Sequence, residues 1–315
     1  MIDPRLRTLR VLRSQQTVTA TAASLHLTPS TVSQQLKQLS NELGVKLLEP
    51  DGRRVRLTPA AELVLDHADI LFQRWEQARS DLSAFQDGQR GRIRFAGMPS
   101  VVAGIVVPAV SRLIREHPGI STHMSTHESP DCFRLLLSGD VDVAVVAAAG
   151  GTPSGEDVRF EQRHLHNDVE DLLVPAGHPL ATAESVTLAE AADEDWIGLT
   201  DCLDQHHLMV TSAARAGFTP RFRHNAGEWH SAAAMVAGGF GISLVPRLAT
   251  LQPDLPVVRV PLSGDVIAVL KCRTGITSPL NGTRTAIRSG SHEQPAIRHA
   301  VAVLRAVVAE PALAA

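Results

Sequence analysis

Tyrosine is absent from the 315 residues, and Phe and Trp together bring the aromatic content to only 3%. Interiors must therefore be filled by Ala, Val, Leu and Ile, and a 44% hydrophobic content supplies enough of them for real cores. Cysteine is scarce: Cys132, Cys202 and Cys272 stand far apart and are odd in number. They give neither a zinc spacing nor a disulfide framework, which suits a reducing cytoplasm. Apolar runs are short. Val141–Ala149, among the longest, falls well below the ~20 residues of a membrane span. The opening MIDPRLRTLR lacks the apolar stretch of a secretory signal, so the chain is expected in the cytoplasm, with no membrane partner. GxSxG, P-loop, GxGxxG and HExxH motifs are missing as well, so no catalytic residue, cofactor or metal is expected.

What is present is unevenly spread. The net charge is −3, yet residues 1–60 hold nine Lys and Arg against four Asp and Glu, and the remainder holds 21 against 29. A small basic head on an acidic body fits nucleic-acid binding by the head. In that head, Asp3-Pro4 reads as an N-cap with Pro at the first helical position, and Leu6, Leu9 and Leu12 continue at helical spacing to about Ser14. A second helix is expected from about Thr19 through Leu25. His26-Leu27 makes a tight turn, and Thr28-Pro29 opens a third helix that runs to Leu43 and stops at Gly44.

The third helix has two faces. Val32, Leu36, Leu39 and Leu43 form the expected buried stripe. Ser30, Thr31, Ser33, Gln34, Lys37 and Gln38 lie opposite, with no carboxylate among them. Hydroxyls and amides can read base edges, and Lys can reach a phosphate. Thr28, Pro29, Ser30, Thr31, Ser33, Gln34 and Lys37 are therefore the candidate DNA contacts of this segment. Val45–Leu48, a turn over Glu49-Pro50-Asp51-Gly52, and Arg53–Leu57 read as a hairpin. Its Arg53 and Arg54 are further candidates for backbone or minor-groove contact, and the whole reads as a winged helix-turn-helix.

The stretch AASLHLTPSTVSQQLKQLSNELGVKLLEPDGRRVRLTPAAE resembles the signature of the LysR-type transcriptional regulators. Ala22-Ala23, Leu25, Ser33, Leu39, Gly44, Leu47 and Leu57-Thr58-Pro59 fall in register with it, and the likeness extends over nearly the whole chain. Ser40, where the family usually has an acid, and Leu48 and Pro50, in place of Phe and Arg near the wing, depart from the pattern. Position 50 is accordingly given no role. The resemblance implies a dimer, or a dimer of dimers, on a pseudo-palindromic double-stranded DNA operator.

Thr58-Pro59, with Glu62, caps a further helix. Ala61, Leu65, Ala68, Phe72, Trp75, Ala78, Leu82 and Phe85 recur along it at nearly heptad spacing. At ~1.5 Å per residue this makes ~40 Å of helix with a narrow apolar seam, expected to pair with a second copy. Gly88 and Gly91 then mark a hinge. The expected division is a DNA-binding domain at 1–58, a linker helix and hinge at 59–89, and an effector-binding domain at 90–315.

Beyond the hinge, Arg92–Gly97, Val101–His117, Ile120–His127, Pro130–Ser138 and Val141–Ala147 alternate strand and helix, as in a parallel doubly wound sheet. A second unit follows, with strands near Leu172–Val174 and Trp196–Leu199 and helices near Leu203–Ala216 and Trp229–Ala237. The fold class is thus α/β, and these runs resemble the family's two-lobed effector domain, which is similar to bacterial solute-binding proteins. The resemblance implies a first lobe of about 90–163 plus 267–315, a second of about 164–266, and a small-molecule effector between them. Gly275–Arg288 reads as an extra polar loop.

Ligands of open α/β sheets bind beyond the carboxyl ends of strands. Met98, Pro99 and Ser100, then Glu128 and Ser129, then Thr200 and Asp201 lie at such ends, with Trp229 or Phe240 as an apolar wall. Ser100 opens a helix whose N–H groups suit a carboxylate. With Glu128 and Asp201 nearby, a metabolite with at most one carboxylate is expected. His123/His127, His164/His166 and His206-His207 do not converge into a metal site, and Cys202 lacks a near partner for disulfide switching. Two other readings stay open: a metabolic enzyme with a DNA-binding head, and an architectural DNA-binding protein without a ligand.

Overall fold

Capping side chains place the first three helices. The structure, a computed structural model, describes residues 2–51, 54–85, 91–147, 152–167, 169–200, 203–263 and 282–310. α1 (Pro4–Gln15) opens on Asp3, whose carboxylate accepts from the Arg5 N–H. α2 (Val18–Ser24) begins one residue before its expected start, because the Thr17 hydroxyl caps it by accepting from the Ala20 N–H. α3 (Pro29–Leu43) opens on Thr28 and ends on Gly44, whose φ of 67° is left-handed. Between α2 and α3, His26 also takes a positive φ, and the Leu27 N–H closes back on the Ala22 carbonyl at 2.9 Å. That turn sets the angle between the two helices.

Leu9, Leu12, Ala22, Val32, Leu36 and Leu39 form the head's core with Leu47. Leu43 departs from the expected buried stripe. It is 44% exposed, since the helix ends at the next residue and no described element covers its last turn. β1 (Leu48–Asp51) and β2 (Arg54–Leu57) pair antiparallel with Asp51 opposite Arg54. The strand therefore continues through Glu49-Pro50-Asp51, where the sequence pointed to a turn.

α4 (Pro59–Phe85) divides its apolar residues between two tasks. Ala61, Leu65 and Ala68 are buried within the chain, the first two in the head core. Phe72 lies under the Arg10 guanidinium, 4.8 Å from carbon to ring centroid. The first half of the expected seam thus closes the head. Further along, Trp75 and Leu82 are 41% and 65% exposed, and Leu63, Ile70 and Leu71 add to this uncovered face.

The first lobe is a five-stranded sheet in the order β4-β3-β5-β12-β6. β3 (Gly91–Gly97) runs parallel to β4 (Ile120–Thr126) and β5 (Val143–Ala147). β12 (Gly282–Arg288) is antiparallel to both β5 and β6 (Phe160–Asn167). Residues 282–288, expected as loop, thus form an interior strand with Thr283, Thr285, Ala286 and Ile287 buried. Their Thr-rich composition suited loop and strand alike, and two flanking strands decided the matter. Residues 275–281 of that loop, and Gly88 of the hinge, lie outside the described residues. The helical run after β3 starts at Pro99 and continues as α5 (Pro99–Val101), a π-helical segment and α6 (Val107–Glu116). α7 (Ser129–Ser138) and α10 (Pro295–Val308) cover the sheet.

In the second lobe, β7 (Glu170–Pro175) lies between β10 (Ser243–Pro246) and β11 (Val257–Pro261). β8 (Asp195–Leu199) pairs with β9 (Arg221–Ala226) in parallel and joins β10 through a bridge between Trp196 and Ile242. α8 (Leu203–Arg215) and α9 (Trp229–Ala237) pack on this sheet. Leu248, which follows β10, is buried in the first lobe's core and lies against Gly104.

Head, linker and first lobe are docked together. Glu76 of α4 pairs with Arg288 and accepts from the Gln294 side chain at 3.1 Å. Gly290, at φ 84°, lies so close to α4 that a Cβ there would sit 2.6 Å from the Gln73 carbonyl oxygen.

Candidate DNA interface and effector cleft

The N-cap decides how the polar face of α3 is presented. The Thr28 hydroxyl accepts from the Thr31 N–H and also meets the hydroxyls of Ser30 and Thr31, each at 2.8 Å. Thr28, Ser30 and Thr31 thus stiffen the first turn. Pro29 is exposed at the helix start. Ser33, Gln34 and Lys37 follow at a spacing of one turn or less, all exposed, and none makes a hydrogen bond or ion pair among the described residues. They are uncommitted groups on a helix anchored from behind by Val32, Leu36 and Leu39.

Gln35 was not among the sequence candidates. Its side-chain oxygen accepts from the Thr8 hydroxyl at 2.6 Å and ties α3 to α1. Lys46, exposed just ahead of the wing, was missed too; a lone Lys before a strand carries no signal of its own. In the wing, Arg56 is drawn to Glu49 across the hairpin at 2.7 Å. Arg53 lies outside the described residues. Arg54 is placed by its backbone at the end of β2, opposite Asp51.

The second site rests on strand ends. Gly97 ends β3, and its carbonyl accepts from the His127 N–H beyond β4 at 2.9 Å. The Ala147 N–H, at the end of β5, donates to the Ser129 hydroxyl at 3.0 Å. Met98, Pro99, Ser100, Glu128 and Ser129 therefore gather at one edge of the first lobe's sheet. They differ in what they can offer. Ser129 is fully buried and committed to Ala147. Glu128 stands at the N-cap of α7, where its carbonyl accepts from Asp131 and Cys132. Met98 provides no side-chain cap, and the N–H groups of Ser100 and Val101 have no acceptor among the described residues. Ser100 is 8% exposed and its hydroxyl is likewise unengaged. A helix start with free N–H groups and a free hydroxyl is suited to a carboxylate or another polar acceptor.

In the second lobe, Thr200 follows β8, and both its N–H and its hydroxyl donate to the Ala226 carbonyl at the end of β9. Asp201 lies outside the described residues. Trp229 starts α9 just beyond that carbonyl. Only 8% exposed, it packs with Leu173, Ile197, Leu199 and Val245 as part of the lobe's core. Phe240 lies elsewhere. Its neighbour Gly241 touches the Asp195 carbonyl at the opposite end of β8, and Phe240 itself is 56% exposed against His224. The structure thus keeps Thr200 and Trp229 at one sheet edge and separates Phe240 from them. The N-cap of α9 is Glu228, whose carboxylate is held down to about 2 by His230 and Ser231.

Among the described residues, no group of three or more His, Cys, Asp or Glu could hold a metal ion. No described helix is long and apolar enough to cross a membrane.

Residues 4–62 match the model of the bacterial regulatory helix-turn-helix proteins of the lysR family, and residues 86–309 match that of the LysR substrate binding domain. The chain is 26% identical over 282 residues to the uncharacterized HTH-type transcriptional regulator YybE of Bacillus subtilis, covering 89% of this chain and 95% of that protein. It is 24% identical to the transcriptional dual regulator GltC of the same organism, over 80% of this chain and 82% of that one. Among solved structures, a full-length OxyR variant from Pseudomonas aeruginosa superimposes with a TM-score of 0.63 at 19% identity, over 97% of this chain and 95% of that chain. The regulator HinK from Pseudomonas aeruginosa gives 0.57 at 20% identity, over 96% and 98%.

Proposed function

Because the chain belongs to the LysR family of bacterial transcriptional regulators, we propose that α3 and the wing hold a pseudo-palindromic operator while a small metabolite between the two lobes controls the complex. The observation that carries the DNA half is the α3 face: Ser33, Gln34 and Lys37 are exposed, unengaged and free of neighbouring acids on a helix fixed at both ends. The division of labour is a DNA-binding domain at 1–58, a linker at 59–89 and an effector domain at 90–315. The first lobe comprises about 90–163 and 267–315, and the second about 164–266. The chain acts by binding rather than by catalysis, in the cytoplasm.

The effector is read as a small metabolite with at most one carboxylate, seated on the free N–H groups and hydroxyl at Ser100 and facing Thr200 across the cleft. Glu128 stands at the edge of that seat, where it would repel a second negative charge and accept from a hydroxyl or amine. The working unit is a homodimer or homotetramer, because α4 leaves Leu63, Ile70, Leu71, Trp75 and Leu82 uncovered along one helix.

Footprinting on the DNA upstream of the chain's own gene, with monoacids, diacids and neutral metabolites added in turn, tests this reading. A protected inverted repeat whose pattern shifts with a monoacid, and no longer shifts in Ser100→Ala, is the expected result. Protection without any repeat, or a response to a diacid that survives Ser100→Ala, would overturn it.

A further inference from the structure

Where head, linker and first lobe meet, they border a half-open cavity of about 330 Å³. Six arginines line it against three carboxylates, those of Asp69, Glu76 and Asp140. The carboxylates are already engaged: Asp69 with Arg10 and Arg13, Glu76 with Arg79 and Arg288, and Asp140 as acceptor from the Ser138 hydroxyl. Arg94 and Arg159 hold Asp142 and Asp157 through paired hydrogen bonds. Arg7 has no ion pair among the described residues. Its Nε is shut off from solvent and has no acceptor among the described residues. Burial pulls its pKa below the usual value; Asp140 opposes this, and the like charges of Arg288 and Arg94 add to it.

A half-buried guanidinium facing two others, with no ion pair among the described residues and only the Asp140 charge to offset them, is a costly arrangement. An anion in the cavity would remove that cost. We propose that this cavity is a second small-molecule site, distinct from the cleft at Ser100, and that it takes a compact oxyanion carrying two or more negative charges. Its ligand is a free small molecule rather than operator phosphate, because Ser33, Gln34 and Lys37 of the recognition face are not among its lining residues. The walls come from α1, α4, β3, the end of α7, the residue ahead of β6 and the end of β12, so a bound anion ties the DNA-binding head to the first lobe. Such an anion would set how freely the head turns, independently of the ligand between the lobes.

Calorimetry of the full chain with inorganic pyrophosphate, at ionic strength matched with sodium chloride, tests the proposal. The expected result is saturable binding of one ion per chain, weakened about tenfold or more in Arg7→Gln, as loss of a charge-assisted contact requires. Arg7→Lys should fall between the two. Arg79→Gln, which alters an exposed lining residue and leaves the buried ion pairs in place, should also weaken binding. Arg112→Gln, which removes a charge on α6 outside the cavity, should not. Absence of saturable binding, affinity unchanged from the parent chain in Arg7→Gln and Arg79→Gln, or the same loss in Arg112→Gln would overturn it.

Discussion

Asp69 lies between Arg10 and Arg13 and is almost wholly buried with Arg10. Burial pushes the Arg10 pKa down to about 10, against the pull of Asp69. Removing one partner of such a pair strands the other charge, so Asp69→Ala should cost about 3–5 kcal/mol. Denaturant unfolding of the variant checks this, and an unchanged midpoint would show the pair to be dispensable. His299 reports on pH in a similar way. Its ring lies 2.6 Å from that of His117, and burial, then His117 and Arg298, hold its pKa below 6.5. The unfolded chain then takes up a proton near pH 6.5 that the folded chain resists, so stability is full above that pH and falls below it. Midpoints measured at pH 8 and at pH 5.5 should differ less in His299→Gln than in the parent chain. At this scale the sequence was most legible at helix ends, where Asp3, Thr28 and Gly44 each act locally. It was least legible for Gln35 and Arg7, whose partners lie on other elements.

α4 shows why a pattern along one helix does not name what covers it. Its heptad-like stripe was visible, yet Ala61, Leu65 and Ala68 close the chain's own head, while Trp75 and Leu82 remain outside. Spacing reveals a face; only the fold reveals its partner. Trp75→Asp would put a charge in the exposed stretch, and sedimentation should show the proposed dimer dissociating. A variant that stays fully assembled would move the interface elsewhere. β12 makes the complementary point. GTRTAIR carries little strand signal by itself, and two neighbouring strands make it one. Gly290 follows that strand and touches α4, so Gly290→Ala should loosen the linker from the first lobe. Both the left-handed φ and the 2.6 Å approach oppose a side chain there. Faster proteolysis within the linker would register the change, and unaltered cleavage would show that the contact bears no strain.

For the whole molecule, charge asymmetry and a capped polar helix pointed to a basic DNA-binding head on an acidic body, the alternation of strands and helices pointed to an α/β sheet, and the resemblance to the LysR family supplied its two-lobed form. The docking of the head onto its own first lobe was not legible, because it depends on Glu76, Arg288 and Gly290, which are far apart in sequence. The proposed effector cleft rests only on strand ends. Trp229 and Phe240 looked alike as apolar walls, and packing sent one into a core and the other to the far end of β8. The central claim is that the exposed face of α3 carries operator binding. It is tested most directly by operator affinity measured across a salt series by fluorescence anisotropy, for the parent chain, Lys37→Ala and Gln34→Ala. If the face carries binding, Lys37→Ala weakens all DNA sequences alike and lowers the salt slope by about 1, whereas Gln34→Ala keeps the slope and relaxes sequence preference. Affinity, slope and selectivity unchanged in both variants would contradict the account.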